Sequence, residues 1–168
     1  MAAPRDELDT ADFDAFVDGL DYPVFIVTVA SATERDGCLI GFSTQTSIDP
    51  RRLLVCLSEA NRTTAIAQHA ELLAVHVLEG REHPLAEHFG GQTGDIVDKL
   101  ADVAWHPGPD GVPILDDCPR YLVGRVVERF AMGDHIGHLL APVAVQAQPT
   151  GDPLTFQDVT DIEAGHPA

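Results

Sequence analysis

GFSTQTSIDPRRLLVCLSEANRTT, residues 41–64, places two clusters of small polar side chains on either side of one short apolar strand, residues 53–57. The first cluster, Ser43, Thr44, Gln45, Thr46 and Ser47, offers four hydroxyls and an amide with no charge among them. Such a set suits a polar ring edge or a sugar-like chain, because each group both donates and accepts. The second cluster, Asn61, Arg62, Thr63 and Thr64, opens a predicted helix. Asn61 is a good N-cap, and free backbone N–H groups with Arg62 beside them favour an anionic group such as a phosphate. Each cluster also has a plainer reading: Asn before a helix caps it, and a Ser/Thr run makes a turn or a polar sheet face. The pairing of the two across a single strand is what favours a binding site.

Working outward, residues 24–30, 38–42, 53–57 and 72–78 are runs apolar on both faces. In an antiparallel protein, strands of that kind predict a barrel whose outer wall is covered by helices or by a second subunit. Two long strands, 120–130 and 135–146, are joined by a hairpin at residues 131–134. Helices are expected at 62–70 and at 84–89, the second with Pro at its start. Residues 12–20 carry Phe13, Phe16, Val17 and Leu20 at helical spacing and predict a short amphipathic helix packed on the barrel within an N-terminal unit, 1–20. Residues 105–117 are dense in Pro and Gly and read as a surface loop, and residues 147–168 as a loose acidic tail or a segment that packs on a partner. Gly90, Gly91 and Gly94 follow a helix rather than a strand, which argues against a dinucleotide-binding turn. The barrel domain itself is expected over 21–146.

The 168 residues suffice for one domain with a real core, 45% of them being hydrophobic. A net charge of −17 leaves no basic surface for nucleic acid or for an anionic membrane. The acidic N-terminus and the lack of an apolar run near the roughly 20 residues needed to span a bilayer predict a cytoplasmic protein. Cys38, Cys56 and Cys118 are odd in number and widely spaced, which fits neither a disulfide framework nor a zinc site. Cys38 and Cys56, inside apolar runs, read as small buried hydrophobes.

Eight histidines raise the question of a metal, and the spacings oppose it. His135 and His138 lie three apart on a strand and face opposite ways, while His83 and His88 lie about 140° apart on a helix. His135 starts a strand after Gly133-Asp134 and is placed at a barrel rim, where it can face a ligand. No nucleophile elbow or catalytic triad is present, so an enzyme built on this chain would rely on a cofactor.

These motifs, taken in order, resemble the flavin reductase-like proteins of the FMN-binding split-barrel class. The resemblance is carried by STQTSIDP at 43–50, Asn61-Arg62-Thr63 opening a helix, LLAVHVL at 72–78, PLAEHFGG at 84–91, GVPIL at 111–115 and Gly133-Asp134-His135. It implies a mainly β fold with a few short helices, an antiparallel Greek-key split barrel that is usually a homodimer. It further implies FMN or FAD as cofactor and NADH or NADPH as donor, with hydride transfer to flavin N5 and delivery of reduced flavin to a partner monooxygenase. On that reading Ser43, Thr44, Gln45, Thr46 and Ser47 run along the flavin ring and ribityl chain, Asn61, Arg62, Thr63 and Thr64 hold the phosphate, Phe89 lies close to the flavin, and His135 sits where the nicotinamide stacks. A flavin-binding electron carrier, and a split-barrel relative that binds heme or a deazaflavin, are the alternatives. The run between Gly41 and Asp49 is shorter than in many such proteins, and Arg51 stands where a second Pro is common.

Overall fold

Alternation along the first apolar run divides it between two cores, which is why that run has no polar face. In β1 (Phe25–Ala30), Val27 and Val29 point into the barrel interior, while Ile26 and the preceding Val24 point outward into a second apolar cluster. The molecule is described by a computed structural model over residues 10–148 and 151–166. Its remaining large strands are β2 (Arg35–Ile40), β3 (Ser43–Ser47), β4 (Arg52–Ser58), β5 (Leu72–Val77), β8 (Arg120–Ala131) and β9 (His135–Ala147). With β1 they form a seven-stranded antiparallel sheet in the order β2-β1-β5-β8-β9-β4-β3. Strand β2 runs on through Gly41 and Phe42 into β3, and the Phe42 carbonyl accepts the Cys56 N–H of β4 at 2.9 Å. The two ends of the sheet are thus one length of chain, and the sheet closes on itself as the expected barrel.

The interior is filled by Val27, Val29, Cys38, Ile40, Val55, Leu57, Leu73, Val75 and Leu140, and plugged by Ile66, Ala67 and Ala70 in and after α2 (Arg62–Ala67). Outside the barrel, α3 (His83–Gly90) lays Ala86 and Phe89 on Val24, Ile26 and Leu78. The Pro/Gly-rich stretch expected as a loop is instead a two-stranded ribbon, β6 (Trp105–Pro107) and β7 (Pro113–Leu115), turned by Asp110 and Gly111 at φ 51° and 78°. Its Val112 and Ile114 bury against Leu72, Ala74 and Val123, and the Thr28 hydroxyl donates to the Pro113 carbonyl at 2.5 Å. The apolar residues of this stretch are too sparse among prolines to read as a strand pattern.

Two further expectations are corrected. The helix α1 (Thr10–Val17) does not cover the barrel: none of its residues is buried, and Phe13 and Phe16 are 54% and 75% exposed. Nor are residues 151–166 loose. Leu154 and Val159 enter the outer core, Leu154 exchanges backbone hydrogen bonds with Val24 and Leu78, and Gly165 N–H donates to Gly90 O at 3.0 Å. The segment is a strap across α3 and the β1–β2 side of the barrel, held by widely spaced apolar residues that an acidic composition conceals. Among the described residues no helix is long and apolar enough to cross a membrane, and no cluster of His, Cys, Asp or Glu is arranged to hold a metal.

Candidate functional site

Where β2 passes into β3, two concavities meet. The inner one, about 290 Å³, is floored by Cys38, Leu39 and Ile40, edged by Ser58, Asn61 and His135, and roofed by the strap residues Val159, Ile162 and His166. The outer one, about 710 Å³, lies between α1 with its following turn and the β3 edge, where Ser43 and Thr44 face it. Gly41, Phe42, Cys56 and Phe156 belong to both. The cleft therefore has an apolar body with a few polar groups at its edges, the composition of a site for a flat, partly polar ligand. A Cβ on Gly41 would stand 3.3 Å from the Phe156 ring, a tight contact with a ring that stacks on Tyr22 at 5.1 Å. Another open groove, about 600 Å³, is lined by Glu82, Asp102, Asp116 and Asp117 against the guanidinium of Arg81, a net negative charge that disfavours phosphate.

The predicted residues divide. Ser43 and Thr44 line the outer chamber, and Asn61 and His135 the inner one. Gln45, Thr46 and Ser47 lie further along edge strand β3, where the Gln45 side-chain amide donates to Ser47 O at 3.1 Å and the pairing with β4 is irregular. Asn61 caps α2 as expected, its Oδ1 accepting from Thr63 N–H at 3.1 Å, which leaves its amide nitrogen towards the chamber, 3.2 Å from His166 Nε2.

Arg62, Thr63 and Thr64 are corrected on geometry. The Thr64 hydroxyl donates to Ser58 O at 2.6 Å, that of Thr63 to Asp36 Oδ2 at 2.9 Å, and neither residue has exposed surface. Arg62 is drawn away to Glu34, at 2.8 Å, and to the Gly94 carbonyl, at 2.7 Å. Beneath them lies a closed polar knot: Lys99, with no exposed surface, holds its ammonium 3.8 Å from Asp36, the carboxylate to which Thr63 donates. Gly94 packs so closely on that carboxylate that a Cβ there would force Asp36 to shift. Phe89, 1% exposed, belongs to the outer core, so its backbone neighbour Gly90 reaches the chamber instead. Periodicity could have shown this, since Phe89 lies three residues after Ala86 on the apolar face of α3.

His135 behaves as its position predicts. It follows Gly133, at φ 89°, and heads β9 at the chamber rim, with its ring 5.1 Å from Phe42. Its Nδ1 lies 2.7 Å from Asp134 Oδ1, and the imidazole holds that carboxyl below its ordinary range. Cys56, expected to be buried, is half-exposed between the chambers, its Sγ 3.7 Å from Met132 Sδ, and burial raises its thiol pKa, making it a poor nucleophile. The strap residues Phe156, Ile162 and His166 were not foreseen as site residues, because nothing in their local sequence marks them.

Comparison with known proteins matches the flavin reductase like domain to residues 17–161 of this chain. A probable flavin reductase of Rhizobium meliloti (strain 1021) is 32% identical over 114 residues, 66% of this chain but only 36% of that protein. The protein named FMN reductase (NADH) RutF of Bradyrhizobium diazoefficiens is 29% identical over 133 residues, 79% of this chain and 73% of that one. The 4-hydroxyphenylacetate 3-monooxygenase reductase component of Salmonella typhimurium is 28% identical over 119 residues, 70% of each. Among solved structures, a flavin reductase domain protein from Arthrobacter sp. FB24 superposes with a TM-score of 0.80 at 21% identity, over 89% of this chain and 92% of that one, which shows the shared fold.

Proposed function

The chain belongs to the flavin reductase like domain family, and from that premise we propose that it transfers hydride from NAD(P)H to a flavin, FMN or FAD, held in the cleft between β3, β4 and the strap. The observation that carries the reading is the cleft itself: an apolar slot along Ile40, Phe42 and Cys56, with Ser43, Thr44, Asn61 and His135 at its edges and no strong acid or nucleophile inside the inner chamber. Bound flavin would supply the hydride acceptor; the protein positions and shields it.

In this reading the Ser43 and Thr44 hydroxyls hydrogen-bond the polar edge of the ring, and the apolar floor excludes water. The Asn61 amide, fixed by its cap bond, faces the phosphate end. His135, oriented by Asp134, marks the place of the nicotinamide. The relatives' names extend the proposal to NADH as donor and to a monooxygenase as consumer of the reduced flavin. A homodimer is part of the same proposal, supported by the exposed apolar side chains of Phe13, Phe16, Val143 and Val145. So is a cytoplasmic location.

Anaerobic stopped-flow absorbance tests it: protein and FMN are mixed with NADH and, separately, with NADPH. Rapid bleaching of the oxidised flavin band is expected with at least one nucleotide, and flavin that binds but stays oxidised with both would identify an electron carrier instead. The His135→Ala variant should bleach at least about tenfold more slowly, about 1.4 kcal/mol in the barrier, with flavin affinity little changed. An unaltered rate would make His135 structural.

A further inference from the structure

A phosphate is held by cations and by N–H or hydroxyl donors that have no other partner. At residues 61–64, where the sequence would seat one, these groups are committed. The Thr63 N–H is taken by the Asn61 side-chain oxygen at 3.1 Å, and the Thr64 N–H by the Asn61 carbonyl at 3.0 Å. The Thr63 and Thr64 hydroxyls, both without exposed surface, donate to Asp36 and to the Ser58 carbonyl. The Asn61 NH2 group lies 3.2 Å from His166 Nε2, which accepts it. Ser43, Thr44 and Ser58, which line the cleft, carry uncharged hydroxyls that serve the ribityl chain of any flavin as well as they serve a phosphate.

The charges point the same way. Among the described residues no lysine or arginine lines either chamber, whereas Asp14 and Asp18 line the outer one and the Asp134 carboxylate stands 2.7 Å from His135 at the rim of the inner one. Arg62 follows Asn61 directly, so its backbone is about 3.8 Å along the chain from the chamber edge. Its side chain instead lines a separate hollow of about 180 Å³, together with Glu34, Asp36 and Asp98. There it donates to Glu34 at 2.8 Å and to the Gly94 carbonyl at 2.7 Å. Its pKa is raised first by the Glu34 hydrogen bond, with Asp36 and Asp95 adding to the effect. An exposed ion pair alone holds a side chain weakly. The second bond, to a part-buried carbonyl, and the two further carboxylates complete the hold on Arg62.

We propose that the cleft recognises its flavin by the ring and is blind to the phosphate, because Glu34 holds Arg62 away from it, so that riboflavin serves as hydride acceptor as well as FMN does. This rests on the flavin reading above. The substrate class is then any isoalloxazine with a ribityl chain, phosphorylated or not. Glu34, a positioning residue that touches no ligand, sets that breadth through Arg62.

Quenching of flavin fluorescence by the full chain, at about 150 mM salt to screen the protein's charge, gives dissociation constants for FMN and for riboflavin, which lacks the phosphate. The wild-type values are expected within about threefold of each other, short of the about tenfold that one charge-assisted hydrogen bond to phosphate would add. Arg62→Ala should leave both unchanged. Glu34→Lys, which turns the tie into a repulsion, should create a preference for FMN of about fivefold or more, and adding Arg62→Ala to it should abolish that preference. A larger wild-type preference for FMN, or a loss of FMN affinity alone in Arg62→Ala, would overturn the proposal. So would a Glu34→Lys variant without the preference, or one whose preference survives the loss of Arg62, since the new lysine would then be what attracts the phosphate. A wild-type protein that binds neither ligand would overturn the flavin reading itself.

Discussion

His76 shows how a polar residue inside a strand run reads as a break in pattern and acts as a rivet. It has no exposed surface, its Nδ1 lies 3.1 Å from the Ile26 carbonyl, and its Nε2 accepts the Leu115 N–H at 3.1 Å. The ring is therefore neutral, with its proton on Nδ1, and joins β5 to β1 and β7. Burial pushes its pKa down from 6.5 to about 4. A base that is harder to protonate in the folded state leaves stability untouched above pH 6.5. Between pH 6.5 and 4 the unfolded chain takes up a proton that the native chain refuses, so stability falls with the pH, by about 3 kcal/mol for one such group. His138, buried on the barrel-facing side of β9, is likewise pushed down to about 4, first by burial and then by Arg129. Urea midpoints measured across that window should drop steeply for the wild type, and His76→Asn, though less stable at neutral pH, should lose about half as much on acidification. Parallel curves would assign the acid sensitivity elsewhere. At this scale the position of Ser43, Asn61 and His135 at the cleft is legible in the sequence, because strand phase and cap chemistry are local. It misplaces Thr63, Thr64 and Phe89, because a threonine hydroxyl turns inward only when a distant carboxylate, Asp36, waits for it.

Elements were legible where hydrophobic pattern alone decides them. The doubly apolar runs became β1, β4 and β5, and the Gly-Asp hairpin joins β8 to β9 as expected. The ribbon β6–β7 and the strap escaped because each is stabilised by contacts distant in sequence. Their contributions are measurable. Ile114 is 1% exposed and packs on Leu72, Ala74 and Val123, so Ile114→Ala should destabilise the fold by about 2–4 kcal/mol. Phe16→Ala on α1, which buries nothing in the single chain, should shift stability by less than about 0.5 kcal/mol. Chemical denaturation of both variants checks the pair. A large loss from Phe16→Ala would mean that α1 is covered in solution by something outside one chain, as a second copy would do.

For the whole molecule the dominant quantity is a charge of −17 on a protein proposed to bind two anionic nucleotides. Field and ligand repel, so association should be slow at low salt and quicken as salt screens it. Between about 10 and 150 mM salt, where the Debye length shrinks from about 30 to 8 Å, FMN should associate several-fold faster while riboflavin, lacking the phosphate, changes little. Stopped-flow fluorescence separates the two, and an FMN rate that falls with salt would place a basic path near the cleft. The composition's most singular count is one lysine in 168 residues, beside nine arginines. Lys99 lies shut beneath α2 and α3, beside Asp36 and 6.0 Å from the centre of the Phe89 ring. An acylating reagent thus meets no side-chain amine on the folded surface. Lys99 can react with an amine-selective reagent only when that knot opens, so its modification records an opening at most once per molecule, one bit written by one buried nitrogen.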